Sequence, residues 1–153
     1  AYAQRLSEPY LFNHAVRSWL FAISIARAKN IDYDPEVVAI GTILHDIGLT
    51  DSVTGPKRFE VNGADAARAF VAERGLSDRR AQLIWDLVAL NSTVSIALYK
   101  EPEVALVTAG IGVEFGFQYD RIPPPEMQRI LDEFPRLEMK RRFTDSVCGI
   151  EVR

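Results

Sequence analysis

The chain has 153 residues, enough for one domain with a real core, and its 48% hydrophobic and 25% charged residues are the mix of an ordinary globular protein. Its net charge of −3, with both signs interspersed, excludes the basic footprint of a nucleic-acid binder and leaves room only for local recognition of a small anion. Cys148 is the sole cysteine, so an intrachain disulfide is impossible and a reducing, cytoplasmic setting is expected. Apolar runs such as Val37 to Leu44 fall far short of a membrane span. No signal-peptide pattern opens the chain. It starts at Ala1 without methionine and stops at Arg153 inside a helical pattern, so a C-terminal tail beyond it is one expectation.

In chain order, Leu11, Val16, Leu20, Ile23 and Ala26 recur at helical spacing and predict a long helix from about Pro9 to Lys29. Asp34-Pro35 reads as a helix cap followed by proline in the first turn, with Val37, Ile40, Ile43 and Leu44 turned inward. That second helix is expected to end near Gly48, taken as a left-handed stop. Turn chemistry fills Leu49 to Lys57, and a third helix follows from Phe59 to Arg74, ending at Gly75. Ser77-Asp78 begins a fourth, carrying Leu83, Ile84, Leu87 and Leu90. Glu101-Pro102 begins a fifth, ending near Phe115. After a stop at Pro123-Pro124-Pro125 come two amphipathic pieces, Glu126 to Glu133 and Glu138 to Val152. Nothing alternates with the period of a strand. The expectation is an all-α fold, one bundle of six or seven helices spanning residues 1–153.

The chain's two histidines, His14 and His45, both fall among apolar residues of predicted helices. Burying imidazoles without partners costs a few kcal/mol, so each needs something to hold it. A hydrogen-bonded core histidine is the plain explanation, but the adjacent Asp46 offers another. Neighbours on a helix are about 100° apart, so His45 and Asp46 can lean toward one point between helices. With His14 delivered from the first helix, they would form a three-ligand corner for zinc, with iron or manganese as alternatives. Open positions on that single divalent ion would leave room for a water of lowered pKa.

Five ordered blocks carry a resemblance. They are Asn-His-Ala-Val-Arg-Ser-Trp from Asn13, Ala-Ile-Gly-Thr-Ile-Leu-His-Asp-Ile-Gly-Leu-Thr from Ala39, Arg-Phe-Glu-Val-Asn-Gly-Ala-Asp-Ala-Ala-Arg from Arg58, Ile-Trp-Asp-Leu-Val-Ala-Leu-Asn-Ser-Thr from Ile84, and Glu101 to Glu114. Together they resemble the HD-domain superfamily of metal-dependent hydrolases, and within it the cyanamide-hydratase-like branch, over about residues 9–150. The resemblance implies His14, His45 and Asp46 as metal ligands, with a late carboxylate at Glu114 where the family usually has aspartate; Asp120 is a weaker candidate. It also implies a histidine at the position of Asn91, which can hydrogen-bond but cannot shuttle protons near neutral pH. Asn91 is therefore expected to contact substrate or to cap a helix end. Two-metal members need more histidines than this chain has, so one ion is the largest site it supports.

Asp46 and Arg58 complete the candidate catalytic set with Asn91. Lys57, Arg58, Asn91 and Asp86 are candidate substrate contacts, with Glu60 close to Arg58 in sequence. Asp86 is expected to orient a polar group or to pair with an arginine. Trp19, Phe21, Phe59, Trp85, Phe115 and Phe117 are expected in the core or a pocket wall. The implied reaction is attack of metal-activated water on a small molecule such as a nitrile. A nucleotide or phosphomonoester hydrolase is one alternative, and a degenerate domain that binds a ligand or partner without turnover is another. A face from Ile122 to Pro125 is a candidate homodimer contact.

Overall fold

The computed structural model describes residues 1–150, with the side chain of Ile150 left aside; the expected end of the last helix at Val152 lies outside the described residues. The described chain is entirely helical. The helices are α1 (Tyr2–Leu6), α2 (Pro9–Lys29), α3 (Pro35–Leu44), α4 (Phe59–Ala72), α5 (Asp78–Ala89), α6 (Val94–Ala97), α7 (Pro102–Glu114), α8 (Pro124–Glu133) and α9 (Met139–Ile150), with short 3₁₀ turns at Ile47–Leu49 and Tyr119–Arg121. No helix among the described residues is long and apolar enough to cross a membrane.

The main core joins Phe21 and Ile25 of α2, Val37 and Val38 of α3, Ala64 and Val71 of α4, Ile84 and Leu87 of α5 and Val104 and Val107 of α7. Helix α2 starts at Pro9, whose missing N–H costs nothing in the first turn, and stops at Asn30 in the left-handed conformation. Asp34 caps α3 by accepting from the N–H groups of Glu36 and Val37, and Arg80 of α5 grips the same carboxylate. Helices α2 and α7 approach closely because Gly110 has no Cβ. A methyl there would stand 2.4 Å from the Ser18 carbonyl oxygen and 2.8 Å from Ala22 Cβ. One turn further along each helix, Glu114 is thereby brought to His14 and Arg17.

Several boundaries differ from expectation. Helix α3 ends at Leu44, four residues early, and His45 and Asp46 lie in a tight turn. Gly48 does not have a positive φ, so it is not a left-handed stop. Its role is close packing: an added Cβ would lie 1.9 Å from the Phe59 carbonyl oxygen, so the turn rests directly on α4. The proline run does not end a helix but begins one, since Pro124 and Pro125 occupy the first turn of α8. Ile122 is buried in the core, which removes the apolar anchor from the candidate dimer face. Phe117 is 69% exposed, not a core or wall residue, whereas Phe21 is fully buried.

Candidate metal centre

His14, His45 and Asp46 converge in the interior, with relative exposures of 1%, 1% and 4%. His14 sits on the buried face of α2, and the turn after α3 presents the other two. The turn itself is fixed by hydrogen bonds. The His45 N–H donates to the Thr42 carbonyl at 3.4 Å, and Asn91 at the end of α5 donates its side-chain amide to the His45 carbonyl at 2.7 Å. Thr50 closes the far side by donating its hydroxyl to the Ile47 carbonyl. Leaving the helix is what lets two consecutive side chains meet, with His45 Nε2 only 3.0 Å from Asp46 Oδ2.

The outer nitrogens fix which face each imidazole turns inward. His45 Nδ1 lies 2.7 Å from the Thr42 carbonyl oxygen, which can only accept, so Nδ1 carries the hydrogen. His14 Nδ1 lies 3.2 Å from Glu114 Oε2, and that carboxylate is ionised, its pKa held at about 2. Burial pushes the Glu114 pKa upward, but the paired Arg17 guanidinium and His14 outweigh it. Neutral His14 therefore also carries its hydrogen on Nδ1. Both Nε2 lone pairs then face Asp46 Oδ2, a buried oxygen without a hydrogen-bond partner of acceptable geometry.

Three lone-pair donors thus share one point. His14 Nε2 is 3.2 Å from His45 Nε2 and 3.4 Å from Asp46 Oδ2, and the third side of the triangle is the 3.0 Å contact already given. Ligands ~2.0–2.1 Å from a zinc ion are separated by roughly 3.0 Å at octahedral angles and roughly 3.3 Å at tetrahedral ones. The observed triangle has those dimensions, so the trio could hold a metal ion. Burial lowers the His14 pKa, but the neighbouring Asp46 and Glu114 carboxylates raise it above its ordinary value overall. Burial likewise raises the Asp46 pKa, and the two imidazoles bring it well below the usual carboxylate range. Both shifts run in the direction that favours positive charge at this point.

Glu114 is not part of the triangle. It lies behind His14, gripped by Arg17 through Nη2–Oε2 at 2.6 Å and Nε–Oε1 at 2.8 Å, with both side chains inaccessible to solvent. Arg17 also donates to the carbonyls of Phe134 and Pro135. The chain Arg17–Glu114–His14 orients the imidazole, as second partners of metal-binding histidines commonly do. Sequence reading passed over Arg17, although its i, i+3 spacing from His14 places it on the same helix face.

Most of the other candidates are held in ion pairs of their own. Arg58 is 77% exposed and forms a two-point ion pair with buried Glu60, which also accepts from Ser92. Lys57 pairs with Asp65 at the surface, and Asp86 pairs with Lys100, not with an arginine. Asp120 is exposed beside Arg121. Trp85 donates its indole N–H to Asp65, while Phe115 sets its ring edge-to-face against His14. No protein-family model matches the chain, and no curated protein does either.

Proposed function

We propose that this chain is an HD-type domain that binds one divalent ion, zinc before iron or manganese, and acts as a hydrolase or hydratase on a small molecule. The observation that carries the reading is the buried triangle of two imidazole nitrogens and one carboxylate oxygen, the last without a hydrogen-bond partner. A divalent ion held there would polarise a substrate and lower the pKa of a coordinated water toward neutrality. His14, His45 and Asp46 hold it, and Glu114 with Arg17 keeps the His14 tautomer that can ligate. Asn91 acts through the His45 carbonyl and holds the turn in register.

The pairing of Lys57 with Asp65 and of Arg58 with Glu60 supports a neutral or weakly polar substrate, nitrile-like, over a phosphomonoester. Phosphate recognition favours unpaired cations beside the metal. A binding module without turnover is favoured by one observation: Asn91, in place of a group that can exchange protons, has its amide committed to the backbone.

Elemental analysis of the purified parent and a His45→Ala variant tests the metal reading. Stoichiometric metal in the parent and loss in the variant are expected, followed by turnover in a screen of nitriles, with nucleotides as the competing class. Metal-free parent protein, even after incubation with zinc, iron and manganese, would refute it.

A further inference from the structure

Helix α9 packs against the His14 corner of the triangle without being part of the main core. Its Phe143 ring meets His14 edge-on at 6.1 Å, Phe115 meets the same imidazole at 6.2 Å, and the two phenyl rings contact each other at 6.2 Å. Met139 and Phe143 pack with Tyr10, Leu11 and Leu49 in a cluster separate from the main core. The remaining attachments are polar and near the surface. Tyr10 and Ser146 share a hydrogen bond of 2.7 Å, and Arg142 stacks over the Tyr10 ring while reaching Glu8 at 3.0 Å. Cavities of about 440 Å³ and 260 Å³ flank α9, one against Glu8, Leu49 and Thr50 and the other against Glu114, Phe115 and Gly116.

The connection into α9 has a distinctive backbone. Leu137 and Glu138, immediately before Met139, have φ of 50° and 60°, a left-handed conformation that side chains other than glycine disfavour. Two such residues in succession are a costly conformation that the docked helix helps to hold and that a rotation there would relieve. A small separate cluster, polar tethers and flanking cavities are also the marks of a unit that opens at low local cost. His14 and His45 are each 1% exposed, and Phe143 of α9 is set against His14, so lifting α9 would open the triangle from that side.

We infer that α9 is a lid hinged at Leu137–Glu138, whose opening admits the ion and the substrate to the His14, His45 and Asp46 triangle. The inference rests on that triangle being the functional site, but its motion is measurable in metal-free protein. Hydrogen exchange on the full chain compares α9 with α2 and α7, while mass spectrometry follows carbethoxylation of His14 and His45 by diethylpyrocarbonate. The parent is compared with Tyr10→Phe and with a Tyr10→Phe/Arg142→Ala variant, and urea denaturation of each sets the global baseline.

A lid predicts α9 amides exchanging at least ~100-fold faster than those of α2. Histidine modification is expected to rise about tenfold in the double variant, and less in Tyr10→Phe, beyond any change in global stability. Protection of α9 equal to that of α2 would overturn the inference. So would histidine modification that follows only global unfolding in both variants. If zinc fails to bind while modification still tracks the tethers, the lid stands and the metal reading fails.

Discussion

Replacing Arg17 by methionine tests the orienting chain behind His14, and its size follows from burial. Arg17 and Glu114 are both inaccessible, so losing the guanidinium leaves a carboxylate in the interior with only the His14 N–H as partner. Breaking a buried pair by removing one member costs about 3–5 kcal/mol. Against a typical total of about 5–15 kcal/mol, the single variant should be severely destabilised. Removing both charges, as Arg17→Met with Glu114→Leu, removes the orphaned charge too. What remains is three groups: the carbonyls of Phe134 and Pro135 lose a donor and the His14 Nδ1–H loses its acceptor, at about 1 kcal/mol each. The double variant should therefore lie within about 3 kcal/mol of the parent and above Arg17→Met, which loses the same two carbonyl partners and keeps an orphaned charge.

Metal affinity separates orientation from stability. In the double variant His14 keeps its place on α2 but loses the acceptor at Nδ1, so zinc affinity should fall about 10–100-fold despite recovered stability. Urea denaturation of metal-free proteins gives the first quantity, and titration against a chelator gives the second. A double variant no more stable than Arg17→Met, or one that binds zinc like the parent, would refute the reasoning. The pair's own pH dependence follows from Glu114, whose pKa is lowered to about 2. Its contribution is full above the unfolded carboxylate value near ~4.3 and is lost as the pH falls from there through the folded value.

Further outcomes follow from the same geometry. Gly48→Ala should cost at least ~3 kcal/mol in thermal or urea denaturation, because its methyl meets the Phe59 carbonyl and not a movable side chain; a loss below ~1 kcal/mol would mean the turn can lift from α4. Zinc affinity should rise by about one log unit per pH unit up to and beyond pH ~6.5, then level off, since the His14 pKa is raised and its proton must leave on binding. A flat profile between pH 5 and 7 would contradict that competition. Asn91→Ala should weaken zinc binding about tenfold by freeing the His45 carbonyl, whereas Asn91→Asp, which cannot donate, should do no better. Zinc at 100 times its dissociation constant should stabilise the parent by about 2.7 kcal/mol and His45→Ala not at all, as read from the shift in Tm.

What was legible in the sequence was local. The bounds of α2 could be read from Pro9 and the Lys29–Asn30 end, and the starts of α3, α5 and α7 from Asp34-Pro35, Ser77-Asp78 and Glu101-Pro102. The convergence of His14, His45 and Asp46 was legible mainly through the resemblance of the blocks around them, since buried polar residues demand partners but an adjacent His-Asp pair is common by chance. The early end of α3 was not, since the apolar pattern runs on through Ile47 and the bond that breaks the helix comes from Asn91, 46 residues away. Arg17 resembled any surface cation of an amphipathic helix until α7 placed Glu114 beside it. Helices α1 and α6, with five and four residues, are too short to be nucleated by their own sequence and exist through packing. The reach of Phe143 over His14 depends on where the chain turns at Leu137, which no spacing encodes.

These features share one physical logic. An interior point lined by two lone pairs and a carboxylate is unfavourable for the fold by itself, and the protein confines that cost to a site fixed from behind. Arg17, Glu114, Thr42 and Asn91 each hold an atom facing away from the triangle, leaving the inward atoms without alternative partners. Such a centre could hold a cation with little rearrangement of its side chains. Under the lid proposal, access to that point comes from α9, whose Met139 and Phe143 pack in a cluster separate from the main core. A rigid centre and a loosely anchored cover are therefore complementary requirements of one buried site.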